Sequence, residues 1–219
     1  MKAIIIGMGI QGNKRKKFLK KDFIFSVDKF KKADFKLVNN VPINTYDTAF
    51  VCTPDSEKYK IIEFCLKNKK NVLVEKPLIT ESKKDLIRLE NLAKKNKTVL
   101  YTAYNHRFEP NIIELKKTIK KRTLGKIFKC RIFYGNGTSY LVKKSKWRDK
   151  KLGVITDIGS HLIDICLFLF DKKVQKLRII EINKFENKAP DHAILSLEMN
   201  GIKIELEMTL CMWKNTFTC

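Results

Sequence analysis

Residues 2–12 read KAIIIGMGIQG: a short apolar run, then glycines at 7, 9 and 12. The run reads as a buried strand and the following GNKRKKFLKK as a brief helix, so the glycines fill a strand-to-helix turn. In such a turn Gly7 permits the tight bend, Gly9 lets a pyrophosphate approach the backbone, and Gly12 lets helix and strand pack closely. The helix start at Ile10 and Gln11 offers unpaired N–H groups and a positive dipole end to an anion. Three glycines alone are a weak signal; the strand before and the helix after give them weight. The next apolar run, FIFSVD, ends in Asp28. A carboxylate there accepts from a ribose 2′-OH and repels a 2′-phosphate, which favours NAD. Lys29, Lys31 and Lys32 follow at once and would tolerate that phosphate, so NADP stays open.

The pattern continues outward. TAFVCTP is a strand closed by Pro54, and DSEKYKIIEFCLKNKK follows with capping residues and helical spacing. NVLVEKP is another strand, ESKKDLIRLENLAKKN an amphipathic helix and TVLYTAYN a further strand, with residues 29–47 an irregular or partly helical connection. Strands alternating with helices predict a parallel α/β sheet. Ligands bind at the C-terminal strand edge of such sheets. That edge receives Thr53, Pro54, Glu75 and Lys76. Alone, Lys76 reads as a surface lysine; delivery to the ligand edge, with Pro77 fixing the path after it, reverses that reading. The texture changes near Leu124-Gly125. KIFKCRIFYG alternates, DIGSHLIDICLFLF is helical, and three later runs look like antiparallel strands, with Asn200-Gly201 as a hairpin signal. The expected fold class is α/β: an N-terminal Rossmann dinucleotide-binding domain over 1–118 and a C-terminal α+β domain with a mainly antiparallel sheet over 119–219.

Composition sets bounds. The chain has 219 residues, 44% hydrophobic and 32% charged, enough to bury a core. No apolar run reaches the ~20 residues a bilayer span requires. No targeting segment is evident either, so no membrane association and a cytoplasmic location are expected. The six cysteines form no CxxC pair; free thiols, no metal and a reducing compartment are expected. The formal charge of +23 raises the question of nucleic acid. Only seven of the 46 basic residues are arginine, and neither base-reading forks nor interleaved aromatics stand out. A lysine-rich solvated surface without specific nucleic-acid binding is expected.

In the second half, Asp157, His161 and Asp164 stand at i, i+4 and i+7 and share one face of a regular helix. A histidine flanked by carboxylates suits proton transfer; a capping Asp157 with a packed His161 is the plainer alternative. Tyr104, Arg107, Trp147 and Arg148 suit a polyhydroxylated or anionic ligand, and equally a domain interface. Taken in order, GMGIQG, Asp28, TPD, EKP, YNHRF, WR and DIGSHLID resemble the Gfo/Idh/MocA oxidoreductase family across nearly the whole chain.

The resemblance implies Lys76 and His161 as catalytic groups, Asp157 in support and Asp164 near the substrate. It implies a sugar, cyclitol or nucleotide-sugar substrate, and an open sheet that makes a homo-oligomer where it is complete. Three departures stand out: Lys58 lies where a histidine is common, the glycine-rich run before the Asp-x3-His motif is reduced to Gly153, and MWKNTFTC ends where the family continues. The expected function is an NAD(P)-dependent dehydrogenase acting on CH–OH groups; the alternative is a truncated cofactor-binding protein with weak or no catalysis.

Overall fold

Ala3–Ile6 form β1 with all four side chains buried, as a strand covered on both faces must be. The computed structural model describes residues 1–145, 148–171 and 173–219. Phe23–Val27, Thr48–Val51, Asn71–Val74 and Leu100–Thr102 follow as β2 to β5. All pair in parallel, in the order β2-β1-β3-β4-β5. The connecting helices are α1, Ile10–Leu19, α2, Asp55–Lys67, and α3, Lys83–Asn96. α3 starts with a reciprocal cap between Ser82 and Asp85, which satisfies two end donors at once. Residues 28–47 contain two 3-10 turns and one parallel bridge, Val27 to Phe35, rather than a full strand. Because β2 and β3 lie on opposite sides of β1, the strand order reverses there, and a crevice opens beyond the C-terminal ends of β1 and β3.

The second compact unit holds α4, Pro110–Lys120, then β6, Lys129–Gly135, and a short α5, Ser139–Lys143. Ile155–Gly159 make a π-helical turn that runs into α6, Ser160–Phe170. The strands β7, Lys176–Asn183, β8, His192–Met199, β9, Ile202–Thr209, and β10, Thr216–Thr218, complete it. The sheet order is β10-β6-β9-β8-β7. Three pairings are antiparallel and one, β6 with β9, is parallel. Asn200 (φ 54°) and Gly201 (φ 80°) turn β8 into β9, and successive positive φ values match the strand twist.

The two compact units are Met1–Ala103 and Tyr104–Cys219. Ile112 of α4 is buried in the second core, with Leu115 and Ile119 packed against it.

Along β8, Ala193, Leu195, Leu197 and Met199 are buried while the alternate residues are not. α6 sets Leu162, Ile165 and Leu169 into the same core, and each such side chain contributes ~1.5–3 kcal/mol on burial. Gly159 permits the approach: a Cβ there would meet Met208 Sδ at 2.8 Å. β7 is different. Leu177, Ile179, Ile180 and Ile182 stay exposed on this edge strand. The six cysteines are free thiols; Cys65 and Cys166 are buried and Cys219 is exposed. None of the helices among the described residues is long and apolar enough to cross a membrane.

Candidate functional site

The three glycines of the first turn are not equivalent. Gly7 has φ +97°, and a Cβ there would lie 2.7 Å from the Cys52 carbonyl oxygen. A Cβ on Gly12 would lie 2.0 Å from the Gly7 oxygen. The fold itself therefore requires both. Gly9 has no atom within 4 Å of where its Cβ would be, and its φ of −76° suits any residue. No neighbour among the described residues requires glycine at this position, so the backbone here is open to a ligand. Gly9 is also the N-cap of α1, and Ile10 and Gln11 beyond it are exposed. On the neighbouring strand end, Thr53 Oγ1 is a buried hydroxyl with no hydrogen-bond partner among the described residues. Pro54 beside it is exposed. An open backbone, a helix start and an unsatisfied hydroxyl fit a dinucleotide.

Asp28 closes the glycine loop from below. Its Oδ2 accepts from Met8 N at 2.7 Å; its Oδ1 accepts from Phe30 N at 2.9 Å and Lys31 N at 2.8 Å. Burial pushes its pKa up, but the three backbone donors outweigh that and hold it below the ordinary value. The carboxylate is thus ionised and fixed, with about one lone-pair site, on Oδ2, left for a further donor. Lys29 donates to Glu57 Oε2 at 2.7 Å.

At the end of β4, Glu75 Oε1 receives the Arg15 Nε at 2.8 Å and its terminal nitrogen at 2.7 Å, which ties α1 to this strand end. Lys76 is half-buried, and the Lys76–Pro77 bond is cis. Lys58 stands where the family's histidine was expected. It is buried, and its Nζ donates to Asp55 Oδ1 and to the Pro77 carbonyl, each at 2.7 Å. Burial is the largest influence on Lys58 and lowers its pKa; Asp55 opposes this and Lys76 adds to it. Lys58 therefore fastens the turn that carries Lys76 to the start of α2.

In the second unit, Arg107 grips Asp164 with two bonds, Nε to Oδ2 at 2.7 Å and a terminal nitrogen to Oδ1 at 2.5 Å. Arg148 donates to Asp157 Oδ2 at 2.5 Å. His161 lies between these pairs along the chain, 8% exposed, with the Tyr104 ring edge-on at 5.7 Å. Burial, then Asp164, pushes the Tyr104 hydroxyl up, so it stays a neutral donor. The regular i, i+4 step assumed from Asp157 to His161 is corrected: Asp157 sits in the wider π turn, a feature that often accompanies functional sites. The segment before it is anchored by Asp149, whose Oδ1 accepts from Ala189 N at 2.7 Å. Gly153, at φ +45°, lies where a Cβ would meet the Pro190 oxygen at 2.1 Å. Trp147 lies outside the described residues. Arg15 and Lys58 were not foreseen; the scarcity of arginine in a lysine-rich chain was the available signal for the former.

A parallel sheet with a reversed strand order, a glycine turn open at Gly9 and an acid at the next strand end define a dinucleotide-binding α/β protein. Residues 2–104 match the family model described as an oxidoreductase family with an NAD-binding Rossmann fold, and residues 112–219 match the GFO/IDH/MocA C-terminal domain. The chain belongs to the GFO/IDH/MocA oxidoreductase family.

It is 28% identical over 144 residues to a scyllo-inositol 2-dehydrogenase (NADP(+)) of Bacillus subtilis (strain 168), covering 63% of this chain and 39% of that protein. It is 31% identical over 131 residues to a myo-inositol 2-dehydrogenase of Thermotoga maritima, covering 60% of this chain and 38% of that one. The matches thus span about two-fifths of these relatives' length. The fold also matches the crystal structure of GenD2 from gentamicin A biosynthesis in complex with NAD, with a TM-score of 0.87 at 17% identity, over 99% of this chain and 68% of that one.

Proposed function

We propose that the protein is an NAD(P)-dependent dehydrogenase acting on a CH–OH group of a sugar or cyclitol, or of a nucleotide-sugar. The observation that carries this is the glycine turn in which Gly7 and Gly12 are fixed by the protein while Gly9 is left open to a ligand. The backbone at Gly9, Ile10 and Gln11 holds the pyrophosphate, Gly7 and Gly12 shape the loop, and Asp28 meets the adenosine ribose. Thr53, Pro54 and Glu75 line the same strand edge, Thr53 with its hydroxyl and Glu75 through Arg15. A bound nicotinamide supplies the two-electron acceptor or donor.

Lys76 presents an ammonium that stabilises negative charge on the substrate oxygen, and His161 takes the hydroxyl proton. Asp157 supports His161 from the preceding turn. Tyr104 offers a hydroxyl to the substrate, while Arg107, Arg148 and Asp164 shape its surroundings through their ion pairs. The inositol specificity of the two relatives makes cyclitols the first substrates to try.

Cofactor choice tests the nucleotide half. NADH should bind more tightly than NADPH, and Asp28→Ser should weaken the preference, because the replacement removes the charge that repels a 2′-phosphate. Equal affinities for both cofactors in the unaltered protein, by fluorescence titration, would count against the assignment of Asp28. Self-association through the second sheet belongs to the same proposal. Its support is the apolar side chains left exposed on β7. Sedimentation should show an oligomer, and a monodisperse monomer would remove this part.

A further inference from the structure

His106 belongs to no role described so far, and its surroundings give it one. Its Nδ1 lies 2.6 Å from Glu109 Oε1. The imidazole is only 13% exposed, against 46% for Glu109. Its plane lies almost parallel to Phe217, tilted 16° at 6.1 Å, and edge-on to Tyr134 at 5.6 Å. Phe217 and Tyr134 belong to β10 and β6, which pair with each other at these two residues. The ring is therefore held by a carboxylate on its own segment and by two aromatics from the second sheet. On its remaining side it meets His161 edge to face, at 4.7 Å and 85°.

We propose that His106 is a positioning residue that sets the orientation of the His161 imidazole. This rests on the proposed role of His161 in proton transfer. A base must present one nitrogen to the proton it takes, so a ring free to change rotamer loses much of its effect. The other groups around His161 suit this division of labour. Tyr104 packs against the ring edge-on, while Asp164 and Asp157 are occupied by Arg107 and Arg148. Edge-to-face packing against a second imidazole holds the His161 ring, and Glu109 clamps that second ring.

Only three histidines occur in the chain, His106, His161 and His192. Their ring resonances can each be assigned by one histidine-to-glutamine variant. In the unaltered protein, ring-to-ring nuclear Overhauser contacts should join His106 and His161. His106→Ala should shift and broaden the His161 ring signals and lower kcat about tenfold or more, with KM and NADH affinity changed less than twofold. His106→Phe keeps a flat ring and should recover most of the rate; Glu109→Gln should fall between.

A missing ring-to-ring contact would overturn the proposal. So would a His161 signal that ignores His106→Ala in a protein whose circular dichroism is unchanged. Equal rates for His106→Ala and His106→Phe would do the same. Failure to find any substrate bears on the dehydrogenase assignment instead, because the resonance measurement needs no turnover.

Discussion

Turnover by Lys76→Ala and by His161→Ala should fall by ~10²–10⁴-fold, the usual contribution of a group that moves or stabilises a proton charge. NADH affinity should hardly change in either. Both residues are proposed to act at the substrate oxygen, whereas the pyrophosphate and ribose contacts are proposed at the glycine loop and Asp28. Hydride leaves the carbinol carbon more easily once its hydroxyl is ionised, so raising the pH should partly rescue His161→Ala in the oxidative direction. Lys76→Ala should show less rescue, since the missing group there stabilises the anion itself. Steady-state rates on a cyclitol panel, with cofactor titration in parallel, make the measurement. Near-normal turnover by both variants on an accepted substrate would leave the family's fold in place and remove the assigned mechanism.

Arg107→Leu should destabilise the second unit by about 3 kcal/mol, the lower end of the cost of breaking a buried ion pair. The Asp164 side chain is 7% exposed and would lose both its strong bonds. The lower end applies because 31% of the Arg107 side chain reaches solvent. The double variant Arg107→Leu/Asp164→Leu should regain much of the loss, because no charge is then left unpaired. Denaturant midpoints of the single and double variants decide the matter. An Arg107→Leu protein that unfolds like the unaltered one would show that the pair does not hold this unit together and that Arg107 belongs to the substrate alone.

Much of the fold was legible because its signals are local. The apolar run at residues 3–6, the glycines after it and the capping Ser82 each specify their own neighbourhood. The parallel sheet follows from their alternation, and the hairpin from Asn200-Gly201. What escaped depends on contacts distant in sequence. Nothing near Ile112 says that α4 packs into the second core and not the first. A π turn at Ile155–Gly159 has no residue code of its own; Gly159 there packs closely against Met208, a residue of β9.

In the candidate site the motif residues were readable from sequence patterns, and the contacts that hold them were not. Lys76, Asp28 and His161 stand in recognisable patterns. Arg15 and Lys58 act across 60 and 19 residues of sequence, on Glu75 and on the Pro77 carbonyl. No spacing rule reaches that far.

The chain has seven arginines among 46 basic residues, and three of them, Arg15, Arg107 and Arg148, hold the carboxylates of the EKP and DIGSHLID motifs. A guanidinium fork fixes direction as well as charge, which an ammonium does not. The motif acids are therefore neutralised where they stand, and the formal excess of +23 resides on other side chains, mostly lysine. Those lysines make a field felt at a distance, which dissolved salt screens over ~10 Å at 0.1 M. The forks act at contact distance and feel salt far less. Ionic strength should accordingly govern how fast an anionic dinucleotide arrives at this protein, and leave almost untouched the alignment of the groups that receive it.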